Sequence, residues 1–112
     1  MQYKNISINT ISVQINRDYS VVAMISWNRD SKDYDIKFYL KRNDVDLLDY
    51  IYTENNVFKT SDIKSIKYDV KRYIEKEYKN KTFKKYTIRY EYMMKCFDKG
   101  NEFYENNDTE VI

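Results

Sequence analysis

The apolar positions of this chain keep two different periods. Between residues 61 and 79, Ile63, Ile66, Val70, Tyr73 and Ile74 recur three and four apart, the spacing of one helical face. Ser61 stands where an N-cap belongs, and Asp62 puts a carboxylate in the positive first turn. After Asn80, Lys81 and Thr82 the period drops to two. Tyr86, Ile88, Tyr90, Tyr92, Met94 and Cys96 then fall on one side, with Thr87, Arg89, Glu91, Met93 and Lys95 on the other. A change of this kind predicts a helix running into a long strand, with the rest of the chain packed on the two.

Residues 1–42 predict a three-stranded antiparallel meander. Ile6 and Ile8 alternate in one register and Ile11, Val13 and Ile15 in the other, so a bulge or bend is expected near Asn9 and Thr10. Polar turns are expected at 16–18 and 28–33. Between them Tyr19, Val21, Ala23, Ile25 and Trp27 share one face, while Val22 and Met24 make the other face apolar too. That predicts a central strand covered on both sides in its middle. Tyr34, Ile36, Phe38 and Leu40 alternate with Asp35, Lys37, Tyr39 and Lys41, giving the third strand one dry and one wet face.

Asn43 and Asp44 are placed to cap a short helix in which Val45, Leu48, Ile51 and Tyr52 share a face, ending by Asn55 and Asn56. Val57 and Phe58 follow as a loop anchor. Downstream of the long alternating run, the only glycine, Gly100, predicts a hairpin turn at 98–101 and a short returning strand at 102–105. The expected order is βββααββ, an α+β fold with an antiparallel sheet and two helices packed on one face. One domain over 1–105 and a polar, fraying tail at 106–112 complete it.

Composition narrows the class. A length of 112 residues fits one domain, and 42% hydrophobic with 17% aromatic residues excludes a disordered polymer despite 34% charge. The longest apolar run, 21–25, is too short for a bilayer, so no membrane partner is expected. No cationic-then-apolar leader opens the chain, and the single Cys96 excludes an internal disulfide, so a cytoplasmic location is expected. Lys, Asn, Ile and Tyr are abundant while Ala and Gly occur once each and Pro never. Such usage follows AT-rich codons, as in low-GC bacteria and their phages and plasmids.

The catalytic inventory is thin. Without histidine the commonest general base and metal ligand is missing, and Ser-His or Cys-His pairs cannot be built. One cysteine makes no thiolate cluster, and one glycine makes no phosphate loop. Asp30, Asp33 and Asp35 lie close in sequence, as do Asp44, Asp46 and Asp49, yet turns and first helical turns recruit aspartate for local reasons. Cys96 beside Met94 is expected as a small buried hydrophobe, and Trp27 as a core or rim plug. The expectation is therefore a protein that is no enzyme, with no catalytic residues, no metal and no cofactor.

Charge carries the functional signal. Residues 59–89 hold eleven Lys or Arg against four Asp or Glu, and 91–110 hold two against six, although the net charge is only +2. A helical projection sets Lys64, Lys67 and Lys71 in a row beside the apolar stripe and Arg72, Lys76 and Lys79 across the back, with Tyr68 among them. The candidate partner surface is Lys64, Lys67, Tyr68, Lys71, Arg72, Lys79, Lys84 and Lys85. A protein partner is favoured, since Tyr and Arg are the types that anchor interfaces. Nucleic acid is the alternative, with lysines on phosphates and tyrosines stacking on bases, but the near-neutral net charge and acidic carboxyl end weigh against it. A solvated lysine-rich helix and a self-associating sheet edge are the plainer readings. The function expected is that of a small non-enzymatic binding protein. It would be an accessory protein of a phage, plasmid or other mobile element that inhibits or modulates a larger host or defence protein. The alternative is a nucleic-acid-binding protein using the basic 59–89 stretch.

Overall fold

The computed structural model describes residues 2–7, 9–55 and 62–111, with side chains described at 9–55 and 62–97. Five strands form one antiparallel sheet in sequence order: β1 (Gln2–Ser7), β2 (Thr10–Gln14), β3 (Tyr19–Asn28), β4 (Asp33–Arg42) and β5 (Asp49–Asn55). Helices α1 (Ile63–Lys79) and α2 (Lys84–Val111) follow. The fold is α+β with both helices against one sheet face, as the sequence implies, but the order along the chain is βββββαα.

Two of the turns between strands are closed by asparagine side chains. Asn16 Oδ1 accepts from the backbone N–H of Asp18 at 2.9 Å and of Tyr19 at 2.8 Å, and Asn28 Oδ1 accepts from those of Asp30 and Ser31 at 3.0 and 3.2 Å. Each closes the chain locally and sets the register of the strands that flank it. Between them β3 pairs along its whole length with β4, from Tyr19 opposite Arg42 to Asn28 opposite Asp33. The alternate side chains of these strands then divide cleanly. Ile11, Val13, Val21, Ala23, Ile25, Ile36, Phe38 and Leu40 are buried beneath the helices, where Ile66, Val70, Ile74, Phe83 and Tyr90 meet them. On the opposite face Val22 is buried, whereas Met24, Leu48 and Tyr50 are exposed.

Local expectations are corrected at several places. The irregularity near Asn9 and Thr10 is a full reversal, because β1 pairs antiparallel with β2 from Gln2 opposite Gln14 to Ser7 opposite Thr10. The helix expected after Asn43 is strand β5: Tyr50 pairs with Tyr39 and Tyr52 with Phe38, and the extra residue between them, Ile51, bulges into the core. Tyr, Ile and Thr dominate that segment and suit a pleated surface better than a helix.

The long alternating run is also helical, in α2. Phe83, Tyr86, Tyr90, Met93 and Met94 make an apolar stripe at three-and-four spacing that packs on the sheet, and the same letters read at period two mimic a strand. Backbone 98–111 continues this helix, so neither the turn around Gly100 nor a strand at 102–105 forms. Cys96 is exposed rather than buried. Trp27 sits half-exposed at the rim, its ring edge-on to Tyr34 at 5.0 Å. The expected anchor at Val57 and Phe58 lies outside the described residues.

Candidate functional site

Helix α1 is fixed at both ends before its surface is considered. Asp62, rather than Ser61, is the N-cap: its carboxylate accepts from the N–H of Lys64 at 3.2 Å and from Ser65 Oγ at 3.0 Å. At the other end the N–H of Asn80 reaches Lys76 O at 3.0 Å, and Lys81 turns the chain with φ 65° before α2 begins. Ile66, Val70 and Ile74 press one face into the core. The opposite face, two residues out of phase, carries Lys64, Tyr68, Arg72 and Lys76 one turn apart, with Lys79 beyond them, all exposed.

Tyr68 is 58% exposed and the Arg72 guanidinium lies over its ring at 5.6 Å. Stacking on the ring holds the guanidinium while leaving its edges to bond outward. Basic residues in the last turn, Lys76 and Lys79, also suit the negative end of the helix. The arrangement is a rigid, cationic ridge with one aromatic at its centre.

Not all of the expected surface residues join it. Lys67 is 8% exposed and belongs to the buried side of α1, engaged there with its surroundings. Its number gives the reason: it is four after Ile63 and three before Val70, inside the stripe. Lys71 is half-buried, its Nζ 3.7 Å from Glu75. Lys84 and Lys85 are exposed, but in the first turn of α2, where the Lys85 ammonium lies over Tyr86 at 5.0 Å. Lys76, set aside from the candidates, is in the exposed row. The phase opposite Ile66, Val70 and Ile74 identifies it.

The remaining polar clusters serve the fold. Arg42 grips Asp44 with two bonds, Nε to Oδ1 at 2.6 Å and a second nitrogen to Oδ2 at 3.2 Å, which holds the Asp44 carboxyl below the usual range. Arg42 also reaches Glu91 at 3.4 Å, and Tyr19 donates its hydroxyl to Glu91, tying α2 to the sheet. Asp49 is taken by Arg89 at 2.7 Å, Asp35 by Asn28 at 3.1 Å, and Asp33 by Ser31. Two carboxylates in each aspartate group are thus engaged by neighbouring side chains. Among the described residues, no group of three or more Cys, Asp or Glu stands close enough to hold a metal ion. No helix of the described residues is long and apolar enough to cross a membrane.

Between sheet and helices, Tyr52 and Tyr73 share a hydroxyl–hydroxyl bond of 2.9 Å with both rings about 5 Å from Phe38. Burial pushes Tyr73 up to about 12 against the opposing hydrogen bond from Tyr52, and it raises Tyr52 as well, with the Tyr73 hydroxyl adding to it. In the unfolded chain both would ionise near the ordinary value of about 10. The folded state therefore holds protons that the unfolded state has lost, and stability is full below about pH 10 and falls as pH rises through about 12. Melting temperature should stay level to pH 9.5 and then drop, in step with tyrosinate absorbance. A level melting temperature through pH 12 would contradict the packing of this pair.

Neither a protein-family model, nor a curated protein, nor a solved structure matches this chain.

Proposed function

We propose that the chain is a non-enzymatic binding domain whose working surface is the exposed ridge of α1, and that its target is a larger protein with an acidic patch. The observation that carries this is Tyr68, more than half exposed, with the Arg72 guanidinium laid over its ring at 5.6 Å in the middle of Lys64, Lys76 and Lys79. Interface anchors are drawn from aromatic and arginine side chains already held in their bound conformation, because little rotamer freedom is then lost on contact. The ridge stands on a helix docked by three fully buried residues, so it meets a partner as a rigid body.

The residue inventory supports contact over chemistry. The chain has no histidine, its single cysteine lies outside any cationic cluster in sequence, and Asp35, Asp44 and Asp49 are engaged by neighbouring side chains. AT-rich residue usage and small size fit an accessory protein of a phage, plasmid or other mobile element acting in the cytoplasm on a host or defence protein.

Nucleic acid is the second reading, favoured by the same row of cations around a stacking ring. Two measurements separate the readings. Binding to an unrelated oligonucleotide that is tight at low salt and falls steeply as salt rises supports nucleic acid, and no binding at low salt removes it. Affinity capture from the source cells should retain a larger protein. Lys64→Glu/Arg72→Glu/Lys76→Glu should weaken that complex by a factor on the order of 100, since like charges facing an acidic patch repel. Undiminished capture by this variant places the contact on another surface.

A further inference from the structure

Helix α2 carries its charges the wrong way round. Residues 84–97 hold four basic side chains against Glu91 alone, whereas 98–111 hold five acidic side chains against Lys99 alone. No acid occupies its first turn and no base its last. The helix dipole favours the reverse, with anions at the amino end and cations at the carboxyl end. Lys84 and Lys85 open the helix, and Asp108 and Glu110 close it. Left alone, this layout destabilises both ends.

The same helix leaves apolar surface without a covering element among the described residues. Ile88 is 62% and Tyr92 71% exposed, one turn apart, with Cys96 exposed one turn further. Among the described side chains, Met93 and Met94 are the last of α2 to pack on the core, and Lys95, Cys96 and Phe97 are exposed. Backbone 98–111 runs on as helix for roughly 20 Å more. The chain accordingly has a radius of gyration of 17.4 Å, against roughly 13 Å for a compact domain of its length.

We propose that the occupant of this face is a second copy of the chain, with the two α2 helices paired antiparallel about a two-fold axis near Cys96. Antiparallel pairing sets the basic half of each helix along the acidic half of the other and opposes the two dipoles, correcting the mismatch that each helix has alone. Ile88 and Tyr92 supply the apolar contact on either side of the axis. Parallel pairing would set like charge against like along the whole length. An isologous contact also closes at two copies, so it gives a dimer and not a filament.

Sedimentation equilibrium across a series from micromolar to millimolar should show a monomer–dimer equilibrium for the full chain. Ile88→Glu/Tyr92→Glu should raise the dissociation constant on the order of 100-fold or more, because the symmetric contact loses each side chain twice, with far-UV circular dichroism of the monomer unchanged. Geometry is read separately. A short bis-maleimide should link the wild-type dimer through Cys96, since paired helix axes lie about 8–10 Å apart. The chain with Lys84→Cys in a Cys96→Ser background should not link, its two thiols being roughly 40 Å apart along antiparallel helices. A monomer throughout the series overturns the proposal. So does a dimer that survives Ile88→Glu/Tyr92→Glu, or one that links through position 84.

Discussion

Replacing Tyr90 by alanine should cost about 3–5 kcal/mol, the largest loss expected from any single side chain of α2. Tyr90 is fully buried, meets Tyr19 edge-on with ring centroids 5.7 Å apart, and donates its hydroxyl to the carbonyl of Leu47 at 2.7 Å. It is the point at which α2 is nailed both to β3 and to the segment before β5. Tyr90→Phe keeps the ring and leaves the Leu47 carbonyl without that donor, so it should cost only about 1 kcal/mol. Urea denaturation of the pair separates packing from hydrogen bonding. A strand at this position would give a different pattern. Tyr86, Ile88, Tyr90 and Tyr92 would then share a face, and alanine at Ile88 or Tyr92 would cost as much as at Tyr90. On the helix these two are exposed in the monomer, and at protein concentrations where the monomer predominates each should lie within about 0.5 kcal/mol of wild type.

The second large effect falls on a residue whose charge suggests the surface. Lys67→Glu should destabilise the fold by about 3 kcal/mol, because a buried side chain engaged with its surroundings would be exchanged for a shorter one of opposite charge in the same place. Lys64→Glu, one turn earlier and exposed, should change stability by no more than about 0.5 kcal/mol. Equal, small effects at the two positions would put Lys67 back on the outer row. The distinction bears on function directly, since a variant that reverses Lys67 would lose binding by unfolding and say nothing about the ridge. Lys64, Arg72 and Lys76 are the positions that test it cleanly.

Much of the fold is legible in the letters, and the places where it is not have physical causes. Strands β2, β3 and β4 are legible because their alternation is long and their turns are fixed by Asn16 and Asn28, whose side chains act locally. Helix α1 is legible because Ile63, Ile66, Val70 and Ile74 admit only one period. Strand β5 misleads because Val45, Leu48, Ile51 and Tyr52 happen to keep helical spacing. What decides it is pairing with Tyr39 and Phe38, contacts made some twelve residues away that no local window contains.

Helix α2 misleads more instructively. Its sequence satisfies two templates at once, six apolar residues at period two and a stripe of Phe83, Tyr86, Tyr90, Met93 and Met94 at period 3.6. Length arbitrates between them, since an uninterrupted run from Lys84 is too long for an ordinary strand and natural for a helix. The error propagates to function. Placed on a strand's dry face, Ile88, Tyr92 and Cys96 vanish from consideration, whereas on the helix they are the exposed row on which self-pairing depends. The ridge of α1 was legible except in phase: reading it opposite Ile66, Val70 and Ile74 admits Lys76 and removes Lys67.

Contact through the outward face of α1 is the proposed mode of action of this molecule. It is tested most directly by capturing partners from the source cells in parallel with the wild-type chain and with Lys64→Glu/Arg72→Glu/Lys76→Glu, both verified as folded by circular dichroism. The prediction is a larger protein retained by the first and absent from the second. Equal retention by both chains would contradict it.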